Sequence, residues 1–307
     1  MGITVTGGVT FSGGMRFRTP VPPSYYVAVT TFGYPRIAAY PWSSSGFGTK
    51  FSDPATEVTG VGNDVAFSPA GDAIAVAHST SPRISAYPWS ASGFGTKFAD
   101  PATLPGADSY SVAFSPAGDA IAVTNDSTPF VYAYPWSGSG FGTKYANPAT
   151  LPANVSRGLA FSPAGDAIAV GHAVSPNITA YPWSGSGFGT KYADPATVPP
   201  GLANGVAFSP AGDAIAMTVQ GSPNITAYSW SVSGFGTKYA NPATLPAGNG
   251  WGVDFSPAGD AIAVANQDTP YVTAYPWSGS GFGTKYADPA TLPGSDGLSV
   301  AFGIIQE

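Results

Sequence analysis

The chain alternates short apolar runs with turn residues. Over residues 65–101 it reads VAFS, the turn PAGD, the apolar run AIAVAH, a polar loop, ISAYPWS, a Gly/Ser turn and FGTKFADP. Four runs rich in Val, Ile, Tyr, Phe and Thr, each bounded by Gly, Pro or Ser, read as four short β-strands, here named a to d. In Ser68-Pro69-Ala70-Gly71 the proline presets φ for a turn and the glycine supplies the left-handed position after it. The second run places Ile74 and Val76 on one face and Ala73, Ala75 and Ala77 on the other. Both faces are apolar, as a sheet packed between two neighbours requires. Helical stripes at i, i+3, i+4 are absent, and the Gly and Pro content opposes them.

The same unit recurs. Trp42, Trp89, Trp136, Trp183, Trp230 and Trp277 stand 47 residues apart, and so do Lys50, Lys97, Lys144, Lys191, Lys238 and Lys285. Six four-stranded units of this period, with bulk alternating across each sheet, predict a six-bladed β-propeller with four antiparallel strands per blade. The first unit starts at Tyr25 without its own VAFS run, and an extra Ser299-Val300-Ala301-Phe302 follows the last. The expectation is closure by a C-terminal inner strand in blade one, which removes a free inner edge. Residues 24–307 form the propeller. Residues 1–23, Gly-rich and carrying Arg16 and Arg18, form an N-terminal β arm that packs on its own rim or pairs with another subunit.

The order VAFSPxGD, IAVA, I(T/S)AYPW resembles the WD40 and related propeller repeats over residues 24–303, with the Trp where those families place the aromatic ending the third strand. The WD dipeptide is missing, because Ser follows Trp in every copy. Near-identical repeats of this GFGTK/FSPAGD type also resemble those of bacteriophage and uncultured-microbe proteins. That resemblance implies a viral or assembly-associated setting.

Comparing the copies with one another brings function into view. The turns PAGD and SGFGTK hardly change, whereas the b–c and d–a loops vary, and in this connectivity both emerge on one face. The b–c columns contribute His78, Asp126, His172, Gln220 and Gln267, and, after the constant proline, Arg83, Phe130, Asn177, Asn224 and Tyr271. The d–a column reads Asn63, Tyr110, Arg157, Asn204, Trp251, Leu298. Trp, Tyr, Phe and Arg are residues that anchor interfaces. These sixteen positions form the candidate partner-binding face.

Composition narrows the partner. Only 9% of residues are charged, the net charge is -6 and the pI is near 4.7. Nucleic acid is disfavoured, since phosphate contacts need clustered Lys and Arg. With no cysteine there is neither a disulfide nor a thiolate metal site. No apolar run is long enough for a transmembrane helix, so no membrane insertion is expected. The N-terminus lacks the pattern of a cleavable signal peptide, which leaves a cytoplasmic or virion-associated location.

Candidate chemistry is sparse. His78 and His172 lie two blades apart, too far to share a metal ion, and read as exposed loop residues. The turn aspartates Asp72, Asp119, Asp166, Asp213 and Asp260 read as structural, as their carboxylates can accept local backbone N–H bonds. The repeated lysines discourage edge-to-edge strand pairing. No nucleophile–base set and no phosphate-cradling loop is present. No metal or cofactor is expected. The reading is a non-enzymatic module that grips a protein or glycan with its variable loop face, in a virion or extracellular assembly. The alternatives are a purely structural self-assembling subunit and a carbohydrate-binding propeller lectin.

Overall fold

The computed structural model describes residues 25–301 except 32, 44 and 45. Twenty-three β-strands and no helix occur among them. Blade one holds β1 (Tyr25–Thr30), β2 (Ile37–Ser43) and β3 (Gly46–Phe47). Blade two holds β4 (Gly62–Phe67), β5 (Ala73–His78), β6 (Ile84–Ser90) and β7 (Gly93–Phe94). Blade three holds β8 (Ser109–Phe114), β9 (Ala120–Asn125), β10 (Val131–Ser137) and β11 (Gly140–Phe141). Blade four holds β12 (Ser156–Phe161), β13 (Ala167–His172), β14 (Ile178–Ser184) and β15 (Gly187–Phe188). Blade five holds β16 (Ala203–Phe208), β17 (Ala214–Val219), β18 (Ile225–Ser231) and β19 (Gly234–Lys238). Blade six holds β20 (Gly250–Phe255), β21 (Ala261–Asn266), β22 (Val272–Ser278) and β23 (Gly281–Phe282). Every neighbouring pair within a blade is antiparallel, in sequence order from the axis outward. The molecule is an all-β six-bladed propeller.

The alternation of large and small side chains explains how the blades stack. Ala73, Ala75 and Ala77 of blade two cluster with Val112, Phe114, Ile121 and Val123 of blade three, so a flat face of one sheet receives the bulky face of the next. The arrangement repeats at each seam from blade one to blade six. The invariant tryptophans cement these seams. Trp136 meets the rings of Phe98, Phe114 and Phe141 edge-on, with centroids 5.2, 5.2 and 5.1 Å away. The tyrosine two residues earlier is buried and ties the seam with its hydroxyl, as Tyr134 donates to the Thr103 carbonyl at 2.7 Å. The turn glycine takes the left-handed φ expected of it, 70° at Gly118, whereas the turn aspartate accepts a serine hydroxyl and not the backbone N–H bonds expected. Ser115 Oγ donates to Asp119 at 2.7 Å and accepts from the Asp119 and Ala120 amides, closing the a–b turn.

Five sheets have four strands; the sheet of blade one has three among the described residues. In the place of its inner strand, residues 298–300 line the central cavity beside the inner strands of the other five blades. Phe302 of the expected closing strand and the arm at 1–23 lie outside the described residues.

Candidate functional site

The inner strands share an irregularity at one column. Ladder register slips between Gly62 and Asp64, Ser109 and Val112, Ser156 and Gly158, Ala203 and Val206, and Gly250 and Gly252. Each slip leaves one more residue on the inner strand than on its partner, which is a β-bulge, and a bulge re-aims a side chain. The column spanned is Asn63, Tyr110, Arg157, Asn204 and Trp251. These five, with Leu298, Asp64, Ser111 and Ser299, line a central cavity of about 220 Å³. Sequence reasoning assigned this column to the d–a loop; its first five members instead belong to the inner strands, and only Leu298 lies outside any strand.

Bulges free backbone groups, and neighbouring side chains satisfy them. In blade three Thr124 Oγ1 accepts from the Ser111 amide at 3.1 Å and donates to the Arg157 carbonyl of blade four at 3.4 Å. Thr218 repeats this, accepting from Gly205 N at 2.9 Å and donating to the Trp251 carbonyl at 3.0 Å. Asn63 and Asn204 each reach to the next blade, donating to the Ser109 and Gly250 carbonyls at 2.7 and 2.8 Å. The rim of the cavity is thus a chain of blade-to-blade bonds. Tyr110 donates to Asp126 at 2.7 Å, and the Arg157 guanidinium lies 5.1 Å from the Tyr110 ring centroid.

Of the lining residues missing from the expected face, one carries a titratable group. Asp64 occupies a column otherwise held by Ser111, Gly158, Gly205, Gly252 and Ser299. Its carboxylate accepts from the Val65 amide through Oδ1, and from Ser111 Oγ and the Val112 amide through Oδ2, all at 2.9 Å. Enclosure of that carboxyl between two blades raises its pKa to about 6, against the opposing pull of those three hydrogen bonds. An acid within a column of small residues was the available signal.

The other candidates stay out of the cavity. Arg83, Phe130, Asn177, Asn224 and Tyr271 follow cis prolines in the b–c loops and share a φ of 67–68°. Two of them also share a role, since Arg83 donates to the Pro105 carbonyl at 3.2 Å and Asn224 to that of the matching Pro246 at 2.8 Å. The backbone amides of Asp126, Gln220 and Gln267 bond to the Asp108, Leu202 and Asn249 carbonyls, joining each b–c loop to the d–a loop of its blade. Asn177 is buried, whereas Leu298 is 54% exposed.

The histidines require a correction. His78 and His172 are fully buried strand ends, not exposed loop residues. Each continues the bulky face of its strand, after Ile74 and Val76 or after Ile168 and Val170. Their Nε2 atoms bond to Ser85 Oγ at 3.0 Å and Thr179 Oγ1 at 2.9 Å. Neither can touch a partner directly. No group of His, Cys, Asp or Glu with metal-site geometry exists among the described residues. The lysines pair with the residue three positions on, Lys97 with Asp100 and Lys144 with Asn147, and only Lys238 lies within an outer strand.

No protein-family model matches the chain, and no curated protein matches it. Solved structures do. A putative 6-phosphogluconolactonase from Bacteroides uniformis superposes with a TM-score of 0.66 at 15% identity, over 85% of this chain and 80% of that one. A functionally unknown protein from Desulfotomaculum acetoxidans gives 0.63 at 14% identity, over 89% and 84%. The likeness is one of fold.

Proposed function

We propose that the chain is a non-enzymatic binding module that recognises a protein or glycan at the mouth of its central cavity. The observation supporting this is convergence. Six side chains from the most variable column of the repeat line one cavity, five of them on bulged inner strands tied by blade-to-blade hydrogen bonds. Drift in surface loops gives no reason for such a meeting. A lectin with one equivalent site per blade is disfavoured, because Trp89, Trp136, Trp183, Trp230 and Trp277, its natural stacking platforms, are buried in the seams.

The full-length chain is to be screened on a glycan array and by cross-linking in its native source. Tyr110→Ala and Trp251→Ala should each weaken the partner found by about 2 kcal/mol or more. Ser137→Ala and Ser184→Ala, at the opposite turns, should bind like the unsubstituted chain. Equal losses on both faces, or none on either, would sink the assignment.

A hydrolytic reading has one structural observation in its favour, the Asp64 carboxyl with a pKa near 6 on the cavity wall. The name of the Bacteroides uniformis neighbour indicates the substrate to try. Hydrolysis of 6-phosphogluconolactone above the spontaneous rate, abolished in Asp64→Asn, would move the assignment to an enzyme.

A further inference from the structure

We infer that the cavity holds an anion subsite centred on Arg157, shaped for a carboxylate or phosphate group on a small ligand or on the tip of a larger one. The inference rests on the cavity-mouth reading above. Arg157 is fixed at both ends. Its carbonyl is held by Thr124, and its guanidinium lies against Tyr110, whose hydroxyl is itself held by Asp126. Such stacking orients a guanidinium and leaves its N–H edges available. Yet the Arg157 side chain makes no hydrogen bond and no ion pair among the described residues, and its Nε is buried without a partner. An unsatisfied buried donor in a native structure calls for an explanation, and an absent ligand is one.

The neighbouring side chains carry matching spare capacity. Asn204, 8% exposed, spends its amide N–H on Gly250 and keeps Oδ1 without a partner. Trp251 Nε1 is buried without an acceptor. The inventory is a cation, an indole donor and an amide acceptor, which suits an anionic group with a hydroxyl beside it. Asp64 lines the same cavity but makes no ion pair with Arg157, its oxygens taking hydrogen bonds from Val65, Ser111 and Val112 instead. Size and charge restrict the ligand further. A volume of 220 Å³ is about seven water molecules at roughly 30 Å³ each, enough for a group of monosaccharide size. A net charge of -6 opposes a polyanion laid across the face, so a single anionic group entering the cavity is the better fit.

The test is calorimetric titration of the full-length chain with D-glucuronate and with inorganic phosphate, using D-glucose as the neutral comparator. At least one anion should bind, with glucose tenfold weaker or more. Arg157→Gln should weaken the anion at least tenfold, and Arg157→Lys less. The bound anion should also protect Arg157 of the unsubstituted chain from phenylglyoxal, read by peptide mass spectrometry, which keeps the test valid should Arg157→Gln fail to fold. Glucuronate alone or phosphate alone would identify the source of the group. If neither anion binds in the millimolar range, or if binding is indifferent to Arg157→Gln and gives no protection, the subsite does not exist. In that case the cavity-mouth reading still stands or falls on Trp251→Ala with the macromolecular partner.

Discussion

Three buried titratable groups set the pH response, and their signs differ. Burial lowers His78 and His172 from 6.5 to about 4. Above pH 6.5 both histidines are neutral in the folded and the unfolded chain. As pH falls from 6.5 to 4 the unfolded chain takes up protons that the folded chain refuses, so stability drops, by roughly 3 kcal/mol for each histidine at 1.36 kcal/mol per pKa unit. Asp64 acts in the opposite direction. Its folded pKa of about 6 lies above the usual 3.8, so between those values the folded chain binds the extra proton, and acidification relieves its buried charge. One histidine's worth of the loss is therefore offset. Chemical denaturation between pH 7 and 4 should show a net loss near 3 kcal/mol. His78→Asn with His172→Asn should remove the fall, since asparagine already serves at the matching position, where Asn266 accepts from Thr273 at 3.1 Å. Asp64→Asn alone should steepen it. A flat profile for the unsubstituted chain would contradict the buried histidines. Their burial was legible: His78 falls in the Ile74, Val76 alternation, and the period outweighs the usual exposure of its residue type.

At the level of elements, strands and turns could be read from one copy of the repeat, whereas the bulges could not. A bulge adds one residue to a strand and breaks the alternation of faces. Asn63, Tyr110, Arg157, Asn204 and Trp251 consequently looked like loop residues before a strand that seemed to start at the VAF run. Their chemical variety was the surviving signal, since residues facing a cavity escape the packing constraint that fixes the Ile and Ala columns. The outer strands show a second element-level effect. Five are two residues long, while β19 runs five residues and pairs Tyr228 with Lys238. Blade five is also where Ser229 replaces the proline found at Pro41, Pro88, Pro135, Pro182 and Pro276. Proline has no N–H for a ladder and ends the pairing. Ser229→Pro should shorten β19 and speed amide exchange over 236–238, at about 1 kcal/mol of stability for the lost bond. Pro182→Ser should lengthen β15 correspondingly. Exchange unchanged in both variants would reject the explanation. The short outer strands also leave little edge on which another chain could pair.

For the molecule as a whole, the decisive difference lies between its seams. Five hydrophobic clusters join successive blades, and among the described residues none joins blade six to blade one. The aromatic cement thins there too: Tyr239 meets Trp277 edge-on at 5.0 Å, while its counterpart Tyr286 is 49% exposed. What lies at this seam is the segment that follows blade six. The Gly297 amide donates to the Asn266 carbonyl at 3.1 Å, and residues 299 and 300 pass so near β20 that a Cβ on Gly252 would sit 2.8 Å from the Ser299 Cα. Gly158 and Gly205 show the same close approach to their next blades, so residues 298–300 stand toward blade six as a true inner strand does. Among the described residues the sixth seam thus has a few residues where the others have whole sheets. Deleting 298–307 should therefore act on the entire ring and not on one blade: the melting transition should drop and broaden, and the exposed inner edge of β1 should promote association between chains. Gly252→Ala should do the same more mildly, because the added methyl pushes the segment outward. Tyr239→Ala, at a seam with a full cluster but half-buried itself, should lower stability by about 3 kcal/mol at most, yet leave association as it is in the unsubstituted chain. A truncated chain that melts like the full one and associates no more than it does would mean that β1 needs no cover and that the five clustered seams suffice to hold the ring.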